Sequence, residues 1–274
     1  MNMNLRKLIK LLKKKEQYPV PQLVNSNELL KGKIALITGG NSGIGFAIAK
    51  DFIANGAKVI ICGRNKEKLA TASKELGEKS AWISLDVTDI KNVSVNFARA
   101  VEIFPEQRID IVVNSAGLGA KSGMMDLNEE EYDAIMNTNA KATFFMVQTA
   151  GKYMIQNKVK GHILNVSSSS ALRPAWSAYE MSKWAVRGFT LGAADIFAKY
   201  GIVVNAIGPG PTATPMLGMG EDESIYIDST CNKRCAMPNE IASLATYMCS
   251  DMGNMIIGDT FYITGGAGNI KSHI

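Results

Sequence analysis

Short runs of β-branched and other apolar residues alternate along the chain with segments whose apolar residues recur every three or four positions. Runs of the first kind are typical of buried strands, and segments of the second kind are typical of amphipathic helices. Regular alternation of the two indicates β-α-β units, because parallel strands need a crossover helix between them. The pattern therefore predicts an α/β fold in which helices cover both faces of one doubly wound sheet.

Seven strands and six helices are predicted in this way. The strands are expected at residues 34–37, 59–62, 81–85, 109–113, 162–166, 202–206 and 260–263. The helices are expected at residues 43–55, 66–76, 90–103, 137–156, 178–200 and 239–250. No internal repeat interrupts the series, so we expect a single domain over residues 33–274 with a sheet of about seven parallel strands.

Residues 1–32 form an extension ahead of this domain and differ from it in charge. Residues 1–15 contain Lys and Arg but no acid, and they account for the net charge of +5, so no nucleic-acid surface is predicted. Apolar residues at positions 5, 8, 9 and 12 predict a short basic amphipathic helix. Such a helix could contact an anionic membrane surface or a neighbouring subunit, but we expect it to fold back on its own domain.

Cysteine usage and hydropathy narrow the class of protein further. The chain has four scattered cysteines, too few to staple a fold of this size, so a reducing cytoplasm is the predicted location. Cys231 and Cys235 could hold a metal, but the two histidines lie far away in sequence, and no metal site is predicted. No stretch approaches the roughly 18 consecutive apolar residues that span a bilayer.

A glycine-rich segment follows the first predicted strand directly, and residues 38–45 read T-G-G-N-S-G-I-G. Glycines permit a tight turn and let the backbone approach a pyrophosphate without an intervening Cβ atom. The helix that begins within the segment supplies unpaired N–H groups and a positive dipole end. Between the first strand and the first helix of a β-α-β series, such a loop predicts a dinucleotide-binding site.

Further motifs follow this loop in a fixed order: Asp86-Val87, Asn114-Ser115-Ala116-Gly117, Asn139, Ser167-Ser168, Tyr179-x-x-x-Lys183 and Pro209-Gly210. Together with the T-G-x-x-x-G-x-G loop, they resemble the short-chain dehydrogenases/reductases over about residues 33–268. The resemblance implies a Rossmann-type fold. It also implies an oxidoreductase that interconverts a ketone or aldehyde and an alcohol by hydride transfer with a nicotinamide cofactor.

The same resemblance implies which residues contact the cofactor. They are Thr38, Gly39, Asn41, Ser42, Gly43, Ile44, Gly45, Arg64, Asp86, Val87, Asn114, Ala116, Gly117, Tyr179, Lys183, Pro209, Gly210 and Thr212. Asp86 and Val87 are expected at the adenine, and Asn114, Ala116 and Gly117 are expected beside the adenosine ribose and the nicotinamide.

The end of the second predicted strand bears on the choice between NAD and NADP. An NAD-specific site usually places a carboxylate there to accept from the ribose 2′-hydroxyl, whereas a 2′-phosphate needs positive charge. Here the strand ends in Cys62-Gly63-Arg64, without an acid, and the guanidinium of Arg64 can bind a phosphate. NADP(H) is therefore the predicted cofactor. NAD(H) is the alternative if Arg64 is only a solvated residue.

Hydride transfer to a carbonyl carbon also requires a proton at the carbonyl oxygen, and the resemblance assigns that proton to Tyr179. A free tyrosine has a pKa of about 10 and is a poor base at neutral pH. Lys183 lies one helical turn further along, and its ammonium can stabilise the phenolate. We therefore predict that Tyr179 is the acid/base, and that Lys183 lowers its pKa and binds the nicotinamide ribose.

Ser168 and Asn139 complete the catalytic set that the resemblance implies. Ser168 matches the serine that hydrogen-bonds the substrate oxygen, but its gap to the tyrosine is shorter than usual, which leaves Ser167, Ser169 and Ser170 as rivals. Asn139 matches the asparagine that holds a water between the lysine and solvent.

The substrate is not identified beyond a carbonyl compound. Residues 211–238 correspond to the segment that covers the pocket in the family, and their methionines suit a mobile lid over a moderately apolar ligand. Arg173 and Trp176 are expected near the entrance, where Arg173 either favours an anionic substrate or is simply exposed.

Two other functions stay open at this point. A 3-oxoacyl-carrier-protein reductase is one, because many similar chains have that activity. A non-catalytic dinucleotide-binding sensor or scaffold is the other, although the complete catalytic set argues against it. The resemblance also implies a homodimer or homotetramer that forms through the long helices carrying Asn139 and Tyr179.

Overall fold

One sheet of seven parallel strands organises the protein, which a computed structural model describes at residues 28–218, 224–268 and 270. The strands are β1 (Ile34–Thr38), β2 (Lys58–Gly63), β3 (Ser80–Ser84), β4 (Ile111–Asn114), β5 (His162–Val166), β6 (Val203–Pro209) and β7 (Thr260–Ile263). They lie in the order β3-β2-β1-β4-β5-β6-β7, and every neighbouring pair is parallel. The predicted α/β sheet is therefore confirmed.

The described residues also form seven α-helices. These are α1 (Gly43–Ala54), α2 (Lys66–Leu76), α3 (Val93–Val101), α4 (Glu129–Met136), α5 (Ala142–Gln156), α6 (Ala178–Ala198) and α7 (Pro238–Cys249). Helix α4 was not predicted, because only Ile135 of its eight residues is buried and an apolar period is therefore absent. Its start depends instead on Asn128, whose Oδ1 accepts the N–H of Glu131 at 2.8 Å.

Helices cover both faces of the sheet, with one buried apolar cluster on each side. Ile48 of α1 and Ile37 of β1 belong to the first cluster, which α7 also joins. Phe97 of α3 and Leu36 of β1 belong to the second, together with residues of α5 and α6. Neighbouring residues of β1 enter different clusters because successive side chains of a strand point to opposite faces. Both faces are thus closed by packing, and ligands have access at the ends of the strands.

The strand order changes direction between β1 and β4. From β1 the chain proceeds outward to β2 and β3, and it then returns to β4 on the other side of β1. In doubly wound sheets such a switch point leaves a crevice beyond the carboxyl ends of the strands, where ligands bind. The glycine-rich loop after β1 and the loop after β4 border this crevice.

A π-helical turn, Asn137–Lys141, joins α4 to α5. The prediction of one regular α-helix over residues 137–156 was wrong for these first five residues. Apolar periodicity does not reveal a π turn, because the turn adds a residue without interrupting the helix. Such turns are frequent at functional sites, and Asn139 lies in the middle of this one.

The amphipathic helix predicted at residues 5–12 lies outside the described residues, so its proposed contacts stay predictions. Leu30, which precedes the predicted domain boundary at residue 33, is buried in the first apolar cluster. Across residues 28–218, 224–268 and 270, no helix has the length and hydropathy needed to cross a membrane.

Candidate active site

Two loops meet at the switch point, and Thr38 at the end of β1 links them. Its Oγ1 accepts hydrogen bonds from the backbone N–H groups of Ser115 at 3.0 Å and Ala116 at 3.1 Å. Asn114, at the end of β4, is buried and donates from Nδ2 to Oδ1 of Asn165 on β5 at 2.9 Å. The loop after β4 is therefore held against both neighbouring strands, and the crevice has fixed walls.

The glycine-rich loop leaves no room for side chains. Gly39 has a φ of +65°, and a Cβ on it would lie 3.0 Å from Cα of Ala116. A Cβ on Gly45 would lie 2.5 Å from the carbonyl oxygen of Gly39. Ser42, the N-cap residue of α1, makes no capping hydrogen bond through its side chain, so the N–H groups of the first turn stay open to an anion. The loop thus has the shape and the donors that a dinucleotide pyrophosphate needs.

A cavity of about 430 Å³ extends from this loop along the carboxyl ends of the strands. Thirteen of the residues predicted from sequence line it: Gly39, Ser42, Gly43, Ile44, Gly45, Ala116, Gly117, Ser168, Tyr179, Lys183, Pro209, Gly210 and Thr212. The predicted residues that do not line it are Thr38, Asn41, Arg64, Asp86, Val87, Asn114 and Asn139. Five of the seven predicted residues of the glycine-rich loop and three of the four predicted catalytic residues, all but Asn139, therefore share one cavity.

The residues predicted at the adenosine end lie after β2 and β3, outside this cavity. Arg64 is exposed directly after β2. Oδ1 of Asp86 accepts the backbone N–H of Thr88 at 2.9 Å and its hydroxyl at 2.7 Å, which fixes the turn after β3. Val87 is partly buried against the second apolar cluster. The backbone of this end is ordered by its own hydrogen bonds, and Arg64 is open to solvent.

Tyr179 lies in the first turn of α6, at the wall of the cavity. Ser177 caps this helix, and its Oγ accepts the N–H of Tyr179 at 3.2 Å. Burial raises the pKa of Tyr179, a hydrogen bond with Ser168 lowers it, the charge of Glu180 raises it and that of Arg173 lowers it. The net shift is upward, whereas sequence reasoning expected Lys183 to lower this pKa. Desolvation of the phenolate is the physical reason for the difference.

Lys183 follows one turn later and is almost fully buried. Its Nζ donates to the carbonyl oxygen of Val166 at 2.9 Å and lies 5.6 Å from the ring centre of Tyr179. Burial lowers the pKa of Lys183 to about 8, because the ammonium loses hydration. The amine also lies 3.7 Å from the place where a Cβ on Gly117 would stand, so it faces the loop after β4. Lysine and tyrosine thus share one end of the cavity.

The four consecutive serines after β5 have different partners. Ser168 is hydrogen-bonded to Tyr179, and its Oγ also accepts the N–H of Ser170 at 3.1 Å. Ser167 donates to the backbone carbonyl oxygen of Lys183 at 3.1 Å. Ser169 and Ser170 begin a short 3₁₀ turn. Of the four, Ser168 is therefore the one whose side chain influences the pKa of the tyrosine hydroxyl.

Asn139 connects three parts of the site without lining the cavity. Its Nδ2 donates to the carbonyl oxygen of Leu118 at 2.9 Å and to Oγ of Ser182 at 3.0 Å. Its Oδ1 accepts the N–H of Leu118 at 2.8 Å, and its backbone carbonyl oxygen accepts the hydroxyl of Thr143 at 2.7 Å. Both amide N–H groups are therefore used, and a water could bind Asn139 only at its oxygens.

Several residues of the cavity wall were not identified from sequence. Thr214 and Ser229 were not named individually, although they lie in residues 211–238, the segment expected to cover the pocket, and Ala267 and Gly268 were not expected at all. These residues come from segments far apart in the chain and belong to no motif with a fixed spacing. The glycines at 265, 266 and 268, all at positive φ, are the one local signal of a tight loop after β7.

The alternative of a metal at the Cys231 and Cys235 pair can be compared with the structure. Cys231 is exposed and Cys235 is buried, so the two side chains differ in their access to solvent. In the described portion of the chain, no three His, Cys, Asp or Glu side chains group together as ligands for a metal would.

The chain belongs to the short-chain dehydrogenase/reductase family. The family model described as short chain dehydrogenase matches residues 33–224. Among curated relatives, the chain is 36% identical over 251 residues to an A-factor type gamma-butyrolactone 1′-reductase of Streptomyces virginiae. This match covers 87% of the chain and 96% of the relative. It is 33% identical to a 3alpha-hydroxysteroid dehydrogenase of Mediterraneibacter gnavus, with 87% and 98% covered.

A solved structure gives the same result for the fold. The putative gluconate dehydrogenase from Agrobacterium tumefaciens superposes with a TM-score of 0.81 at 27% identity, over 88% of this chain and 98% of that one. These proteins are named as dehydrogenases or reductases, and the chain is accordingly an oxidoreductase acting on CH–OH and C=O groups. The substrates in their names differ from one another.

Proposed function

We propose that the protein is an NADP(H)-dependent reductase of ketones or aldehydes, reversible as an alcohol dehydrogenase. The observation that carries the proposal is the convergence of Ser168, Tyr179 and Lys183 at one cavity that begins at the glycine-rich loop. The cofactor, when bound, supplies or accepts the hydride, and its nicotinamide would lie between the loop after β4 and Tyr179. The chain's own residues then handle the oxygen and its proton.

In the reductive direction, Ser168 and Tyr179 donate hydrogen bonds to the carbonyl oxygen of the substrate. As the carbonyl carbon receives the hydride, Tyr179 transfers its phenolic proton to that oxygen, which leaves an alcohol and a phenolate. The ammonium of Lys183 stabilises the phenolate. A proton from solvent then returns to the phenolate of Tyr179 and completes the cycle. The proton would pass through a water that donates a hydrogen bond to an oxygen of Asn139. One hydride and one proton are consumed for each carbonyl.

Cofactor contacts are proposed along the whole crevice. The glycine-rich loop would hold the pyrophosphate, and Lys183 would also bind the nicotinamide ribose. Arg64 would bind the 2′-phosphate of NADP. A Cβ on Gly63 would lie 3.0 Å from Oδ1 of Asn41. An acid at position 63, of the kind that NAD-specific sites use, would therefore lie against the side-chain oxygen of Asn41. This crowding and the exposed guanidinium support NADP(H) over NAD(H).

Replacing Arg64 with Leu is expected to raise KM for NADPH by roughly 10- to 100-fold and to leave KM for NADH within about threefold. The reason is that a hydrogen bond between charged groups contributes about 1.5–3 kcal/mol, and only NADPH carries the 2′-phosphate. Steady-state kinetics with each cofactor measures the effect. Arg99→Leu, which removes another exposed arginine on α3, serves as the matched control. Equal losses with both cofactors would remove Arg64 from phosphate recognition.

A panel of carbonyl compounds tests the proposed reaction itself. The panel should include ketones, sugars, steroids and acyl thioesters, the last of which represent a 3-oxoacyl-carrier-protein reductase. Oxidation of NADPH with at least one compound is expected. NADPH binding without oxidation across the panel would favour the non-catalytic sensor. The presence of Ser168, Tyr179 and Lys183 at one cavity supports an enzyme instead. The cytoplasmic location stays a prediction.

The outer faces of α5 and α6 support the proposal of a homodimer or homotetramer. Phe144, Leu191 and Ile196 are apolar and exposed there, and Gly188 and Gly192 keep the surface between them flat. Burying such residues against a second copy removes apolar area from water. Light scattering is expected to give a mass of two or four times 29.6 kDa, and a monomer at micromolar concentration would contradict the proposal.

A further inference from the structure

The charged groups around the cavity are unevenly distributed. Among the described residues that line it, Lys183 and Arg173 are cationic, and no Asp or Glu takes part. Nζ of Lys183 already donates to the carbonyl oxygen of Val166 at 2.9 Å. Arg173 follows the turn Ser169–Leu172 and thus lies on the side of the cavity where Ser168 would meet a substrate carbonyl. A substrate therefore approaches a wall whose lining includes cationic side chains and no acid.

Arg173 is held in place at both its backbone and its side chain. Its carbonyl oxygen accepts the indole N–H of Trp184 at 2.9 Å. Its guanidinium carbon lies 5.2 Å from the ring centre of Trp176, within the range of a cation–π contact. Nη2 donates to Oγ of Ser170 at 3.3 Å. The guanidinium thus has fixed neighbours beside the cavity wall, one of which, Ser170, lines the cavity as well.

Most of the hydrogen-bonding capacity of this guanidinium stays open. Of the five N–H groups of an arginine, one makes a hydrogen bond within the described residues, the bond to Ser170. The buried carboxylate of Glu180, which does not line the cavity, forms an ion pair with Arg173 at 3.9 Å from Nη2, too far for a hydrogen bond, and its other oxygen is bonded to Ser177. The side chain of Arg173 is 42% exposed and the residue lines the cavity, so its remaining donors are accessible to a ligand.

Arg187, two turns further along α6 than Tyr179, provides a contrast. It donates to the carbonyl oxygen of Ala171 at 2.7 Å and lies near two aromatic rings, 5.1 Å from that of Trp184 and 5.8 Å from that of Tyr262. Its contacts are those of an arginine that supports the fold, and it does not line the cavity. Arg173 differs because it lines the cavity and most of its guanidinium N–H groups make no hydrogen bond within the described residues.

We propose that Arg173 binds an anionic group of the substrate, a carboxylate or a phosphate, and thereby selects charged oxo compounds over neutral ketones. The inference rests on the proposed reductase function and adds the substrate class. A guanidinium presents two parallel N–H groups that match the oxygens of either anion. Exposed apolar side chains of Trp176, Met216 and Leu217 stand near the same entrance and suit a short hydrocarbon spacer between the anion and the carbonyl.

The position of Arg173 relative to Tyr179 is compatible with one small substrate that contacts both. The two side chains line the same cavity, and the positive charge of Arg173 is close enough to oppose the upward shift in the pKa of Tyr179. An anion at Arg173 would therefore place a carbonyl a few bonds away at the tyrosine hydroxyl. Arg173 acts in this proposal as a specificity residue, and the proton transfer stays with Tyr179.

The test compares charged and neutral forms of the same carbonyl compound. Oxo acids with one to four carbons between carbonyl and carboxylate are paired with their primary amides, and dihydroxyacetone phosphate is paired with dihydroxyacetone. Wild type, Arg173→Met, Arg173→Lys and the control Arg99→Met are assayed for kcat/KM with NADPH. Calorimetry measures the binding of the same compounds to the enzyme saturated with NADP⁺, so that affinity is known even without turnover.

For at least one pair, wild type is expected to prefer the anion by roughly 10- to 100-fold, the range of a charged hydrogen-bonding pair. Arg173→Met should lose this preference while it keeps the neutral compound within about threefold, and Arg173→Lys should regain part of it. Whether carboxylates or phosphates are preferred identifies the anion. Selective anion binding without reduction would retain the inference on Arg173 and count against the reductase.

Three results would overturn the inference. The first is a wild type that binds no anion of the series more tightly than its neutral partner. The second is an Arg173→Met variant that loses charged and neutral compounds equally, since that would make Arg173 a support for the active-site loop. The third is a preference for anions that survives in Arg173→Met, which would assign recognition to another group.

Discussion

Tyr179→Phe is expected to lower kcat for carbonyl reduction by roughly 10³-fold, while the dissociation constant for NADPH changes by less than about twofold. General acid catalysis contributes about 10²- to 10⁴-fold, and the variant keeps the ring that fills the wall but removes the proton donor. The variant also loses the interaction between the tyrosine hydroxyl and Ser168. Single-turnover kinetics and fluorescence titration with NADPH measure the two quantities separately.

Tyr247→Phe is the matched control, because this tyrosine is exposed on α7 and lies outside the cavity wall. It should keep wild-type turnover and a wild-type melting temperature. A Tyr179→Phe enzyme that reduces carbonyls at more than about one tenth of the wild-type rate would exclude Tyr179 as the proton donor. Loss of NADPH binding in that variant would instead assign the residue mainly to the cofactor site.

Lys183→Met is expected to lower kcat/KM by roughly 10²-fold or more and to weaken NADPH binding, because the lysine is proposed to serve both phenolate and ribose. The pKa of Lys183 is lowered to about 8, so the ammonium that stabilises the phenolate is present below that pH and is lost above it. The wild-type rate should therefore fall as pH rises through about 8. In the variant, the rate should be low throughout and lack this descending limb.

The pH profile of kcat/KM for reduction, measured from pH 6 to about 10, checks this account of Lys183. The exposed Lys199→Met variant, at the end of the same helix, should retain the wild-type profile. The melting temperature of Lys183→Met should stay near that of wild type, since the substitution removes a buried amine whose charged form is poorly hydrated. A descending limb that persists unchanged in Lys183→Met would assign the titration to another group.

The fold was predicted well from sequence wherever the burial of one or two faces of an element gives its apolar residues a regular spacing. Helix α2 and strands β5 and β7 begin and end where they were expected. Helix α4 was missed because it is polar apart from Ile135, and the π turn at Asn137–Lys141 was missed because it leaves apolar spacing intact. In both cases backbone hydrogen bonds and tertiary position decide the structure.

The candidate site was predictable to the extent that its residues are close in sequence. The glycine-rich loop and the Tyr179 to Lys183 spacing depend on one turn and one helix, so their patterns are local. The choice of Ser168 among its neighbours needed the partners of each hydroxyl, and the wall residues Ala267 and Gly268 needed the packing of the last loop. The direction of the Tyr179 pKa shift depends on desolvation, which no sequence pattern measures.

Transfer of the hydride from the cofactor to the substrate can be followed with a labelled cofactor. The enzyme is incubated with NADPH that carries deuterium at both positions of the nicotinamide C4, together with the charged and neutral oxo compounds described above. Mass spectrometry is expected to find an alcohol with one deuterium on the carbinol carbon, formed by wild type and, at a roughly 10³-fold lower rate, by Tyr179→Phe. Bound NADPH with no deuterated alcohol from any carbonyl compound would contradict the proposed reductase function.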